Sequence, residues 1–253
     1  MSEMRFTGKV VLVTGAGTGV GRRAALAFAR EGAAVALLGR SRGPLDATAD
    51  IIRTAGGEAL AVPTDVTDEP SVEAAVQTIT QWRGGLDIAF NCAGMFTLAP
   101  IEDFELSDWN AVMALNATGV FLGMKHEIRA MKRRGGGAIV NMSSNLGAHM
   151  VAPGMVAYIA SKAAVSALTR AAAKEAIGAG IRINSISAGP IDNVMSTRPG
   201  ETVEAKAARM RAIIPLGRAG YEDEIVAAAL WLASPESGYA VGHDLVLDGG
   251  ESL

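Results

Sequence analysis

The sequence predicts a single-domain α/β fold, a doubly wound, seven-stranded parallel sheet with helices on both faces. Three observations predict it. Short, continuous β-branched and apolar runs alternate with helical patterns along the whole chain, as strands buried on both faces of a parallel sheet require. A glycine-rich turn, Gly15-Ala16-Gly17-Thr18-Gly19-Val20-Gly21, separates the first apolar run from the first helical stretch. Seven strand–helix units in 253 residues leave no length for a second core.

The elements follow in order. Residues 10–14 are unbroken in apolar character, and residues 22–31 have helical composition. A strand at 33–38 leads to a helix at 44–55, where Pro44 costs no hydrogen bond because a first-turn N–H is unpaired anyway. Further strands are expected at 59–62, 87–91, 138–142, 181–187 and 245–247, and further helices at 69–81, 116–133, 158–176 and 223–233. Connections are short except for 191–216, which is polar, carries two prolines and contains the helix-like segment EAKAARMRA. A connection of that length in a compact domain is usually functional, so a substrate lid is expected at about 191–216. Neither an internal repeat nor a low-complexity tract interrupts the pattern.

Composition excludes several classes. With 49% hydrophobic and 19% charged residues, the chain has the apolar content for a core and is not a disordered segment. A net charge of −3 argues against a nucleic-acid or anionic-membrane surface. The single cysteine, Cys92, excludes an internal disulfide and a cysteine-based zinc site, and fits a reducing, cytoplasmic setting. No run approaches the roughly 18 apolar residues of a membrane span, and residues 1–10 lack the apolar stretch of a secretory signal. His126, His149 and His243 have no metal-ligand spacing, so no metal is expected; His149 alone falls where it could approach a site mouth.

The glycine turn has a chemical reading. Glycine lets the backbone approach a phosphate closely, and the helix behind it offers free N–H groups at the positive end of its dipole. A tight strand–helix turn also wants glycine for its own sake. The spacing of Gly15, Gly19 and Gly21 reads TGxxxGxG, which resembles the short-chain dehydrogenase/reductase family. Other segments follow in that family's order over nearly the whole chain. Asn91-Cys92-Ala93-Gly94 is similar to its NNAG segment, with Cys for the second Asn. Asn116, in LNATG, matches its helix asparagine, and Ser143-Ser144 its serine region. Tyr158-Ile159-Ala160-Ser161-Lys162 matches its YxxxK motif, and LVLDGG at 245–250 its C-terminal strand and turn. The resemblance implies a Rossmann fold, a nicotinamide cofactor, and hydride transfer between that cofactor and a carbonyl or secondary alcohol.

Such a reaction needs a proton donor and acceptor beside the substrate oxygen. A tyrosine, with a pKa of about 10, serves only if a nearby cation favours its phenolate. Tyr158 and Lys162 are four apart on an alanine-rich helical stretch, which puts them on one face. By the resemblance, Tyr158 is the acid/base, and Lys162 lowers its pKa and holds the nicotinamide ribose. Ser144 hydrogen-bonds the substrate oxygen, and Asn116 holds a water linking Lys162 to solvent, unless it only caps or bends its helix. The family's serine usually lies thirteen residues before the tyrosine, a slot filled here by Asn145. Aligning instead on Ser143-Ser144-Asn145-Leu146-Gly147 and on Pro153-Gly154 absorbs one extra residue, so Ser144 is assigned, with Asn145 as the alternative.

The resemblance also places cofactor contacts at Gly15, Thr18, Gly19 and Val20, at Asp65-Val66 for the adenine, and at Asn91, Ala93 and Gly94. Tyr158, Lys162, Gly189, Ile191 and Asn193 complete the set. Ala188-Gly189 stands where the family commonly has Pro-Gly, and Asn193 near a threonine that bonds the carboxamide. At the end of the second strand an acidic residue would read ribose hydroxyls, whereas arginine pairs with a 2′-phosphate. That slot is Gly39, followed by Arg40-Ser41-Arg42, with Arg22 behind the glycine loop. NADP(H) is therefore favoured and NAD(H) remains possible, since Arg40 and Arg42 also read as solvated loop charges.

Positions expected to face substrate, besides Ser144 and Asn145, are Met95, Phe96, Met150, Val151, Met155 and Met195. They suggest a small, apolar or flat substrate, although Met is also a common core filler. One alternative is a 3-oxoacyl-acyl-carrier-protein reductase that docks its acidic carrier on Lys132-Arg133-Arg134. Against it, Ala179 occupies a slot that is basic in many such reductases. An alternative of another class is a catalytically silent NADP(H)-binding sensor, which would not need Ser144, Tyr158 and Lys162 intact. The resemblance further implies a homotetramer joined through the long helices and the C-terminal strand, with no nucleic acid or membrane partner.

Overall fold

The computed structural model describes residues 4–253. Seven strands form one sheet in the order β3-β2-β1-β4-β5-β6-β7, every neighbouring pair parallel. They are β1 (Val10–Thr14), β2 (Ala34–Gly39), β3 (Glu58–Pro63), β4 (Ile88–Asn91), β5 (Gly137–Ser144), β6 (Ile181–Ala188) and β7 (Asp244–Leu247). The order reverses between β1 and β4, and such a switch point opens a crevice at the carboxyl ends of the strands. This is the doubly wound α/β arrangement that the alternating pattern predicts.

Strand side chains alternate between two apolar clusters, one per face. Val11 and Val13 pack with Ala24, Phe28, Leu45, Ile52 and Leu230. Val10 and Leu12 pack with Val76, Ile79, Val120, Met131 and Val165. The period of two follows from the pleat, and it sorts the helices. On the first face lie α1 (Gly19–Arg30), α2 (Arg42–Thr54) and α9 (Glu222–Ala233). On the second lie α3 (Glu69–Arg83), α5 (Gly119–Arg134) and α7 (Val156–Ala176). The remaining helices are α4 (Leu106–Met113), a broken turn α6 (Asn145–Ala148) in which Leu146 and Gly147 leave the helical region, and α8 (Val203–Ile213).

The helix expected to begin at Asn116 begins ten residues earlier. Leu106–Met113 runs through a wide π-helical turn, Ala114–Thr118, into α5. Leu106, Asp108 and Asn110 are exposed and Val112 is the one buried residue of α4, so its sequence carries a weak apolar stripe. The π-turn puts Asn116 on the inside, fully buried, in keeping with the frequent association of such bulges with functional sites. A second long connection, 92–105, precedes α4, so 191–216 is not the sole long one. Within 191–216 the helix-like segment does form α8.

Candidate active site

The crevice between β1 and β4 is built by a few backbone contacts. Thr14, at the end of β1, accepts hydrogen bonds at Oγ1 from the amides of Cys92 (2.9 Å) and Ala93 (3.1 Å), binding the two strand ends together. The glycine loop then turns into α1. Gly19 has φ +53°, the left-handed region. At Gly21 an added Cβ would lie 2.4 Å from the Gly15 carbonyl oxygen, a backbone atom that cannot yield. Thr18, the residue before α1, makes no side-chain cap, and the first bond across the helix start is Arg22 N–H to Thr18 O at 3.0 Å. The amides of Gly19, Val20 and Gly21 therefore have no acceptor among the described residues. Orphan amides at a helix N-terminus form a phosphate cradle, so the loop fits a dinucleotide pyrophosphate.

The chemistry-bearing side chains meet one strand further along. Ser144 ends β5, its Oγ accepting from Leu146 N (3.1 Å) and donating to Ala188 O (3.3 Å) at the end of β6. Tyr158 and Lys162 come from the first two turns of α7. The Ser144 hydroxyl meets the Tyr158 phenol and partly offsets the effect of burial on it. Asn145, the alternative, turns the other way. Its Nδ2 donates to Glu251 Oε2 (2.8 Å) and Asp248 Oδ2 (3.3 Å) in the C-terminal loop. Asn145 is thus not beside Tyr158 but tied to a segment that sequence reasoning did not connect to the site.

Burial dominates the electrostatics of these two side chains. Lys162 Nζ donates to Met142 O at 2.7 Å and lies 5.7 Å from the centroid of the Tyr158 ring. Burial pushes the ammonium down to about 8. Burial also raises the Tyr158 phenol above its ordinary value. Burial disfavours the phenolate more than the Ser144 hydroxyl favours it, so desolvation dominates the phenol. Burial likewise pushes the neighbouring Cys92 thiol up to about 12, so it is no nucleophile.

Asn116 ties the loop after β4 to α7: its Nδ2 donates to Met95 O (2.8 Å) and Ser161 Oγ (3.0 Å), and its Oδ1 accepts from Met95 N (2.9 Å). Both Nδ2 hydrogens are used, while Oδ1 keeps a lone pair that a water could donate to. The Asn91 Nδ2 donates to Glu127 Oε2 (3.1 Å) and Asn141 Oδ1 (3.0 Å) in a buried network that continues to Thr169. Glu127 was not anticipated; the available signal was one acidic residue on the apolar face of a helix. Burial raises its carboxyl to about 8.

The outer positions are placed as follows. Arg40 is exposed, makes no ion pair among the described residues, and its charge helps to lower the Asp65 carboxyl, which the Thr67 hydroxyl lowers most. Arg42 instead pairs with Asp46 on its own helix, at 3.3 Å. Val66 is buried. Phe96 meets the Tyr158 ring edge-on, centroids 6.2 Å apart. Met150 lies against Asn145, with Nδ2 to Sδ at 3.2 Å, and Met195 is exposed at the start of the long connection. Asn193 Oδ1 accepts from Met195 N at 3.0 Å. His149 does not enter the site; its Nε2 pairs with Asp244 Oδ2 at 3.0 Å. No helix among the described residues is long and apolar enough to cross a membrane.

Comparison with known proteins agrees with this geometry. A family model described as Enoyl-(Acyl carrier protein) reductase matches residues 15–252. The chain is 37% identical over 251 residues to a D-threitol dehydrogenase of Mycolicibacterium smegmatis, covering 99% of this chain and 95% of that one. It is 36% identical over 250 residues to a 2,5-dichloro-2,5-cyclohexadiene-1,4-diol dehydrogenase of Sphingobium indicum, covering 98% of both. A short-chain type dehydrogenase/reductase from Mycobacterium marinum superposes with a TM-score of 0.92 at 37% identity, over 99% of this chain and 98% of that one. The chain belongs to the short-chain dehydrogenase/reductase family. It is an oxidoreductase acting on CH–OH or carbonyl groups, with a single-domain Rossmann fold, and the family's use of a nicotinamide cofactor matches the phosphate cradle at Gly19–Gly21.

Proposed function

We propose that this oxidoreductase interconverts a ketone and a secondary alcohol on a small, largely apolar substrate, with NADP(H) as its cofactor. The observation that carries the reading is the convergence of Ser144, Tyr158 and Lys162 at the carboxyl edge of the sheet, beside the crevice between β1 and β4. A nicotinamide bound in that crevice supplies or accepts the hydride. Ser144 donates a hydrogen bond to the substrate oxygen and stabilises the charge that develops on it. The raised Tyr158 phenol is protonated at neutral pH, which is the form that gives its proton to a reduced carbonyl oxygen. Lys162, charged below about 8, holds the ribose and compensates the phenolate left behind. Gly15, Thr18, Gly19 and Val20 hold the phosphates, and Ala93, Gly94, Gly189 and Ile191 line the crevice. Residues 191–216 close over it as a lid.

NADP(H) is supported by Gly39 in the slot where an acid would repel a 2′-phosphate, and by the exposed, unpaired Arg40. The aromatic neighbour of Tyr158, Phe96, favours a flat or cyclic alcohol, and one relative is named for a cyclohexadiene diol. An acyl-carrier substrate is less favoured, although the family model is named for one. Lys132 and Arg133 lie at the C-terminal end of α5, next to the start of β5. Ser144 is at the other end of that strand, about 23 Å away at 3.3 Å per residue. A carrier docked on those residues would sit at the wrong edge of the sheet. The deciding experiment is Tyr158→Phe with a panel of cyclic ketones and secondary alcohols. Turnover should fall by at least a thousandfold with cofactor binding intact, and retained turnover would discard the mechanism.

A further inference from the structure

Lys206 is a buried lysine that this chemistry does not use. It sits on α8 with 11% of its side chain exposed, and all three of its ammonium donors are spent on one short segment. Nζ donates to Asp192 Oδ1 (2.8 Å), to the Asn193 carbonyl (3.0 Å) and to Thr197 Oγ1 (3.0 Å). Three groups of one six-residue segment thus converge on a single charge. Three residues further along α8, Arg209 makes a two-pronged pair with Glu201, both contacts 2.7 Å, and donates to Ser196 O at 2.9 Å. Holding a long cationic side chain in one geometry costs rotamer entropy, so two such clamps on one loop mark a segment whose conformation is fixed.

The clamped segment has a defined position. It follows β6 directly, and the end of β6 pairs with Ser144 in register at Ala188. Asn193 is bonded on every side but one. Its carbonyl accepts from Lys206, Ser196 and Thr197; its Oδ1 accepts from Met195 N; its backbone N–H donates to Ile191 O at 2.8 Å. Its side-chain amide has no acceptor among the described residues. Without Lys206, the Asn193 carbonyl and Asp192 carboxylate would lose their charged donor, and the turn would gain conformers at ordinary temperature.

We propose that Lys206 is a positioning residue for the cofactor, fixing the Asp192–Thr197 turn from behind so that Asn193 presents its unused amide to the crevice. Resting on the NADP(H) dehydrogenase reading above, the inference assigns α8 a role in binding the nicotinamide end, apart from any part in closing the lid. Preorganising a turn raises affinity by removing an ordering cost from the binding step. Cofactor affinity should therefore respond to Lys206 more than the chemical step does.

Lys206→Met tests this in the full chain, with Lys206→Arg and Asp192→Asn as companions. NADPH binding by fluorescence titration should weaken at least tenfold in Lys206→Met, the KM for NADPH should rise in step, and kcat should fall less than threefold. Lys206→Arg should recover most of the affinity. Asp192 is largely exposed, so Asp192→Asn keeps the fold and should weaken binding in the same direction by a smaller factor. Amide hydrogen exchange without cofactor is the independent readout: residues 192–197 should exchange at least tenfold faster in Lys206→Met. Wild-type exchange rates in that variant, or cofactor affinity within twofold of wild type, would overturn the proposal. Should the wild-type protein bind neither NADPH nor NADH, the functional reading fails instead, and the exchange rates still decide whether Lys206 fixes the turn. If Lys206→Met does not fold, Asp192→Asn carries the same two measurements.

Discussion

Glu127 offers the most quantitative test of how this interior is built. It lies on α5, 1% exposed, with Asn91 Nδ2 as the donor to its Oε2. Burial raises its carboxyl from 4.5 to about 8, and the Asn91 bond offsets only part of that. Between these values the folded chain keeps a proton that the unfolded chain releases. Glu127's contribution to stability is therefore fully present below about 4.5 and is lost as the pH rises through about 8. At 1.36 kcal/mol for each tenfold change, the loss reaches about 5 kcal/mol above pH 8. Glu127→Gln has the shape of the protonated acid, keeps the acceptor for Asn91, and does not titrate. Urea unfolding of both proteins at pH 5.5, 7 and 9 should show the variant gaining about 3 kcal/mol on the wild type between the two extremes. For a chain of this size the same gain moves the midpoint of thermal unfolding by roughly 6–12 °C. A difference between the two proteins that does not change with pH would refute the reasoning, because it would mean Glu127 is ionised in the fold.

Three further outcomes can be measured. Arg40→Ala should weaken NADPH binding at least tenfold while leaving NADH within about twofold; equal losses for both cofactors would remove Arg40 from the 2′-phosphate. Asp244 accepts from Ser166, Ser185 and Ser187 at 2.8 Å each and from His149 at 3.0 Å. These donors hold its carboxyl below the ordinary value against the opposing effect of burial, so its contribution is present above about 3.8 and lost as the pH falls through the folded value. Asp244→Asn should cost about 2–3 kcal/mol at pH 7 and progressively less on acidification, read by unfolding at pH 7, 4 and 3. Gly21→Ala would place a methyl 2.4 Å from the Gly15 carbonyl oxygen, and should abolish cofactor binding measured by calorimetry while far-ultraviolet circular dichroism stays unchanged. Normal binding in that variant would show that the loop relaxes at little cost.

What the sequence determined by itself is local or periodic. The buried strands were legible because parallel strands are apolar on both faces, as at Val10–Thr14 and Ala34–Gly39. The phosphate loop was legible because Gly19 and Gly21 answer to backbone geometry within one turn. Tyr158 and Lys162 were legible because helical spacing fixes which residues share a face. Their family resemblance added the expected chemistry. Helix α4 was not legible, since its exposed residues leave one buried side chain in eight. The tertiary structure decided everything that depends on residues brought together from distant segments. Asn145 and Ser144 are adjacent in sequence, yet only the packing of the C-terminal loop, with Glu251 and Asp248, turns Asn145 away and leaves Ser144 beside the phenol. Asn91 and Glu127, thirty-six residues apart, meet only through the packing of α5 on β4. The spacing of Tyr158 and Lys162 was fixed by the helix, but their proton affinities were set by desolvation. A pKa depends on how far a charge is removed from water and on what faces it in three dimensions, and neither quantity is written in the order of residues.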